Sequence, residues 1–268
     1  MTGSFRQIRA FYRDYISYAL HSWLLFAMVI VAGSILGLVS YNISTVHVMQ
    51  IYPSDGAFSS AISAISYFYI CWTVSFMCSF AISNDFTTNA SSFILALPVK
   101  RNNIFVGRFL GAITITALST AALYIYIALE SLYYFGKVTP LLVISYLVAL
   151  LFILSVAALV FLLSSLIKMD RLVLISSFVL LFVIFSILEG VFQIYSINVN
   201  TLLSYSAFAI TKSIHAFGHF LYYNIQFFSI TPENLKFFNY DQSIISMVVY
   251  FVIFFLSGLF VYGRRQVV

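Results

Sequence analysis

Charge is scarce in this sequence. Asp, Glu, Lys and Arg make up 8% of its 268 residues, where a soluble domain carries about 25%. With 62% hydrophobic residues and a mean hydropathy of +1.03, the chain has more apolar surface than a water-soluble core of this length can hide. Its solvent is expected to be lipid. Cysteine is nearly absent. Cys71 and Cys78 stand about 10 Å apart on a helix, too far to bridge, so they read as small buried residues and say nothing about redox compartment. No phosphate-binding loop of the G-x-x-x-x-G-K-[ST] type occurs; the Gly136–Lys137 pair lacks the spacing. The basic lead (Arg6, Arg9, Arg13) precedes an apolar run longer than a signal-peptide core, and no small-x-small cleavage pattern follows it. That run reads as a first span.

What the sequence does have is long apolar windows. Six are long enough to cross a bilayer as helices: 22–41, 61–82, 106–134, 141–167, 172–193 and 243–262. They exceed what a barrel strand needs. The expected fold is all-α, a single transmembrane domain over residues 1–268. The third and fourth windows run long, which predicts tilt or protrusion.

Lysine and arginine set the orientation. With the first residues inside, the inner segments hold Arg6, Arg9, Arg13, Lys100, Arg101, Arg108, Lys168, Arg171, Arg264 and Arg265. The outer ones hold only Lys137, Lys212 and Lys236. This asymmetry predicts a multi-pass protein of the cell membrane with both termini cytoplasmic. Attraction of basic residues to lipid headgroups also accounts for the net charge of +5, so no nucleic-acid partner is needed.

Residues 4–20 place Phe5, Ile8, Tyr12, Tyr15 and Ile16 on one helical stripe and Arg6, Arg9 and Arg13 on another. The pattern predicts an amphipathic helix on the membrane surface. Lys168–Arg171 reads as a tight turn. The segment from about Ile194 to Gln242 is long but still apolar, in runs (202–210 and 217–228) too short to cross. Short outer helices before the last span are expected there.

The stretch NDFTTNASSFILALPVKRNNIFVGR (84–108) interrupts the apolar windows. Asn84 and Asp85 suit a helix N-cap. Phe86, Ala90, Phe93, Ile94 and Leu97 then fall on one stripe, with Thr87, Thr88, Asn89, Ser91 and Ser92 opposite. Pro98 ends the helix, Lys100 and Arg101 sit at the headgroup boundary, and Gly107–Arg108 opens the next span. The segment reads as a helix of about three turns between spans two and three. Its polar face either docks into a partner or simply caps the bundle.

The order LPVKR (97–101), followed by an apolar-apolar-Gly-Arg span start, resembles the ABC-2 class of ABC transporter permeases. The resemblance extends to the N-terminal helix, the six spans, the apolar segment before the last span and the basic tail at Tyr262–Arg265. Family members often carry a Glu at the start of the inner loop and a Gly-Thr before its helix. Asn84–Asp85 and Thr87–Thr88 stand there instead. The Glu-Ala-Ala loop of importers is absent.

The resemblance implies that the loop helix is a cytoplasmic coupling helix seated in an ATPase. Asp85, Phe86, Asn89, Ala90, Phe93, Leu97, Pro98, Lys100 and Arg101 would form the contact, and Arg6, Arg9 and Arg13 would mark an interface helix. It implies a permease exporting a substrate, itself no enzyme and without a cofactor. ATP and Mg belong to two copies of a separate ATPase subunit. A second permease copy, identical or related, completes the unit among membrane lipids.

Glu130 and Glu189, with Gln193 a turn beyond the latter, fall near the outer ends of their spans. Carboxylates in a bilayer usually face protein or water, so these three either line a substrate route or bond to neighbouring helices and headgroups. His215 and His219, an i, i+4 pair with Glu233 downstream, are weak as a zinc site, and no metal is expected. An ATP-independent transporter or channel is the alternative function, although no inverted repeat or broken span stands out. A membrane-embedded enzyme is less favoured, because no cluster of His, Asp or Glu lies at one depth.

Overall fold

The computed structural model describes residues 2–21, 55–63, 65–87, 100–167, 169–195, 199–214 and 239–264. The described residues are mostly helical, with no strand among them. In chain order the elements are α1 (Thr2–His21), α2 (Asp55–Ser63), α3 (Ile65–Thr87), α4 (Arg101–Phe135), α5 (Leu141–Leu166) and α6 (Asp170–Phe178). A π-helical segment (Val179–Ile184) leads into α7 (Phe185–Ile194). A 3₁₀ turn (Val199–Thr201), α8 (Leu203–Ser206), α9 (Phe208–Lys212) and α10 (Tyr240–Arg264) complete the set.

Five stretches among the described residues are long and apolar enough to cross a membrane. They are Ile65–Ile82 of α3, α4, α5, Asp170–Phe192 across α6 to α7, and α10. The chain is a multi-pass helical membrane protein. The first expected window, 22–41, lies outside the described residues.

Helix α5 is the axis of the bundle, packed on α3, α4 and α10. It carries no charged residue. Phe152, Ile153, Val156, Ala157 and Phe161 are completely covered by protein. Lipid tails are as apolar as leucine, so helices here are held by close packing and by hydrogen bonds between them. Ser155 of α5 donates to the carbonyl of Met247 in α10 at 2.8 Å. Beside it, Phe105 and Phe109 of α4 interlock edge-on with Phe161 of α5 at 5.4 and 5.0 Å. The same two rings meet Phe255 of α10.

The spans alternate in direction, so the bundle has two ends. At one, here the near end, Ser4 of α1 donates to Asn103 of α4 at 3.0 Å, and a side chain at Gly263 of α10 would meet Asn102 at 3.2 Å. The first and last described helices therefore share an end. At the far end, Thr139 donates to Asp55 at 2.7 Å and Lys137 pairs with the same carboxylate at 3.7 Å. Arg6, Arg9, Arg13, Lys100, Arg101, Arg108, Arg171 and Arg264 all belong to the near end, and Lys137 and Lys212 to the far end. The charge asymmetry in the sequence is thus an asymmetry in space.

Three boundaries differ from the sequence reading. The second window, 61–82, takes in the end of α2 at Ser63 and most of α3, which starts at Ile65. The third span helix begins at Arg101 instead of 106, because its polar first turn is covered by α1. At 35 residues α4 is about 52 Å long against a hydrocarbon core of about 30 Å, so it protrudes or tilts. Helix α3 also runs through Asn84 and Asp85 to Thr87 without a break. These two residues are therefore not the N-cap of a new helix. No Pro or Gly stands there to stop the span, and a helix continues where nothing interrupts it.

Candidate functional site

The near-end junction of α1, α3 and α4 flanks the expected coupling segment and is tied by long-range polar contacts. Successive turns of α1 meet successive turns of α4 in the same direction. Ser4 and Gln7 stand at Asn103, whose side-chain amide donates to Gln7 Oε1 at 2.6 Å. Ile8 and Phe11 stand at Gly107, and Tyr15 at Gly111. A Cβ on Gly107 would lie 2.7 Å from the Ile8 carbonyl oxygen and 2.8 Å from Phe11 Cβ. The two backbones approach this closely only because position 107 has no side chain, the contact that a G-x-x-x-G pair makes between membrane helices.

Both α1 and α4 grip α3. The Tyr15 hydroxyl donates to the Met77 carbonyl at 2.7 Å, and the buried Arg108 donates to the Ala81 carbonyl, one turn further on, also at 2.7 Å. Burial pushes the Tyr15 hydroxyl well above its usual range, with Cys78 adding to the rise and the Arg108 charge opposing it. The group therefore stays protonated, and a donor, at any physiological pH. Asp85 and Phe86 belong to the last turn of α3 beyond these grips, while Lys100 and Arg101 open α4. The structure thus brings both flanks of the expected coupling segment to one junction. Asn89, Ala90, Phe93, Leu97 and Pro98 lie outside the described residues.

Arg6, Arg9 and Arg13 are exposed, on the side of α1 away from the bundle. The apolar stripe expected to face lipid is turned mostly toward protein instead. Tyr15 and Ala19 are buried, Ile8 and Tyr12 are half-buried, and Phe5 stays exposed. Periodicity locates an apolar face and cannot tell whether lipid or another helix will cover it.

No protein-family model matches this sequence, and no curated protein matches it. The junction's own geometry is therefore the ground for a function.

At the far end, Glu189 of α7 is buried and its carboxylate accepts the Ser204 hydroxyl of α8. That bond to a neighbouring helix is one of the two roles the sequence left open for it. Glu130 is half-buried on α4, a separate helix, and Gln193 lies in the last turn of α7. Burial pushes the hydroxyl of neighbouring Tyr205 up to about 12, with the Glu189 charge adding to it. The short helices α8 and α9 fall in the first of the two expected runs. They are fixed to the spans by Ser145, which donates to the Ile210 carbonyl at 2.7 Å. The second run, with His215, His219 and Glu233, lies outside the described residues.

Two features were missed in the sequence. The pair Gly107-x-x-x-Gly111 was there to be found, by its spacing alone. The π segment left no signal, because every residue from Val179 to Ile184 is apolar.

Proposed function

We propose that this chain is the membrane-spanning subunit of an exporter of the ABC-2 type, driven by ATP hydrolysed in a separate subunit. The observation that carries this reading is the near-end junction. There α1, the first turns of α4 and the last turns of α3 are bonded into one block, and the chain from Thr87 to Lys100 joins two of its members. Force applied to that connection enters two spans at once, and α1 with them.

The near end faces the cytoplasm on this reading, because the basic residues gather there. Two ATPase subunits take the coupling segment, through Asp85, Phe86, Asn89, Ala90, Phe93, Leu97, Pro98, Lys100 and Arg101. ATP and Mg are bound in those subunits and not in this chain. A second permease copy completes the pathway, and the drawing together of the ATPases rocks the span bundles as rigid bodies.

The test is co-purification. The intact chain, extracted from its native membrane, is expected to bring an ATPase with it. Asp85→Arg is expected to reduce that recovery by about tenfold or more, as charge reversal at a contact does, with the chain's own yield and elution profile unchanged. Recovery without any ATPase, or full recovery by Asp85→Arg and Phe93→Ser alike, would refute the reading.

A further inference from the structure

The span from Asp170 to Ile194 buries every fourth residue: Val173, Ser177, Leu181, Phe185 and Glu189. A continuous α-helix does not do this. At about 100° per residue, four residues overshoot a turn by about 40°, and by Glu189 the drift would reach about 160°, the opposite face. The inward positions of an unbroken helix would be Leu180, Ile184 and Leu188. Yet Ile184 is 44% exposed while Phe185 is 8% exposed. The face has slipped by one residue, and the slip occurs in the π segment. There the Phe185 amide donates to the Leu180 carbonyl five residues back, so the wider turn absorbs one residue without rotation.

The π turn is held from α3. The Tyr67 hydroxyl reaches the Leu181 carbonyl at 3.4 Å. Phe182 stacks on Phe68, centroids 5.9 Å apart and planes 6° apart, and Trp72 packs on Phe178 at 5.0 Å. Beyond the turn, the Ser204–Glu189 hydrogen bond holds the slipped face in place. We propose that the π turn is a rotary step with two positions. With the π turn in place Glu189 faces Ser204. When the turn relaxes to α-helix, α7 rotates by about 100°, Leu188 replaces Glu189, and α8 loses its bond to the span. Movement of α3, which carries Tyr67, Phe68 and Trp72, selects the position. The step follows from the helices alone and stands whether or not an ATPase drives it.

The test reads which face of α7 meets lipid. Spin labels are placed on cysteines at 190 or 191 of the full chain in nanodiscs, with Cys71 and Cys78 replaced by alanine. Gly190 tolerates the label, since a Cβ there meets open space, and Val191 is exposed. In the native background oxygen should reach position 191 more readily than 190. Tyr67→Phe together with Ser204→Ala should raise, by about tenfold, a second population in which 190 is the more accessible. Deleting Val183 removes the extra residue and keeps both flanking faces in register. It should therefore abolish the second population in either background. A single population in the Tyr67→Phe, Ser204→Ala chain would overturn the proposal, as would a second population that survives the deletion.

Discussion

A single methyl group at Gly107 is expected to loosen α1 from the bundle. Alanine in place of glycine inside a helix normally stabilises by about 1 kcal/mol, through propensity alone. At Gly107 the new Cβ would lie 2.7 Å from the Ile8 carbonyl oxygen and 2.8 Å from Phe11 Cβ. A backbone carbonyl cannot step aside, so α1 must move as a unit. Overpacking of this kind costs about 1–3 kcal/mol, which outweighs the propensity gain. Moving α1 also disturbs the Ser4, Gln7 and Tyr15 hydrogen bonds.

Gly111→Ala tests the distinction. Its Cβ meets Tyr15 Cδ1 at 2.7 Å, an atom of a ring that can turn, though the ring is tethered through its hydroxyl to Met77. Gly190→Ala is the control, since that position is open, and there the propensity gain should appear unopposed. Thermal unfolding in detergent should therefore rank Gly190→Ala above the native chain, then Gly111→Ala, then Gly107→Ala. Hydrogen exchange should show α1 losing protection first in Gly107→Ala. If Gly107→Ala is as stable as Gly190→Ala, the close approach of α1 and α4 is not what holds the junction.

That junction shows what a sequence of this composition reveals and what it hides. Charges are rare enough that each one carries position, so Arg6, Arg9, Arg13, Lys100 and Arg101 marked the near end without ambiguity. Apolar residues are common enough that they carry little. The stripe through Tyr15 was visible, but not whether lipid or α4 would cover it, because both solvents are apolar and periodicity is blind to the choice. Asp85 looked like a helix start, since acidic residues favour N-termini, yet a span with no proline or glycine ran on through it. Glu189 was recognisable as a costly residue in a membrane. Its partner Ser204 was not, because the pairing depends on a one-residue slip within six apolar residues. Local signals of charge and breaking residues survive in such a chain, whereas rotational phase, which decides partners, does not.

Tyr15→Phe and Arg108→Met are expected to cost less together than separately. Tyr15→Phe removes one neutral donor from the Met77 carbonyl, which keeps its bond within α3, for a loss of about 1 kcal/mol. Arg108→Met removes a buried charged donor from the Ala81 carbonyl, for about 1.5–3 kcal/mol. The two grips act one turn apart on the same helix, and the Arg108 charge lies close enough to oppose the rise of the Tyr15 hydroxyl. Once either grip is cut, α3 is partly free of α1 and α4, and the second cut removes less. A double-mutant cycle on unfolding should give a coupling of at least about 0.5 kcal/mol. Additivity within about 0.3 kcal/mol would mean that α1 and α4 hold α3 independently, and a block of three helices would not exist. Arg108→Lys separates charge from shape: it keeps the charge but presents no planar fork. If charge alone makes the grip it should behave as native, and if the directed bond to Ala81 makes it, it should fall near Arg108→Met. The second outcome is expected, because the 2.7 Å contact to the Ala81 carbonyl is an oriented bond, and orientation is what a block needs in order to turn as one body.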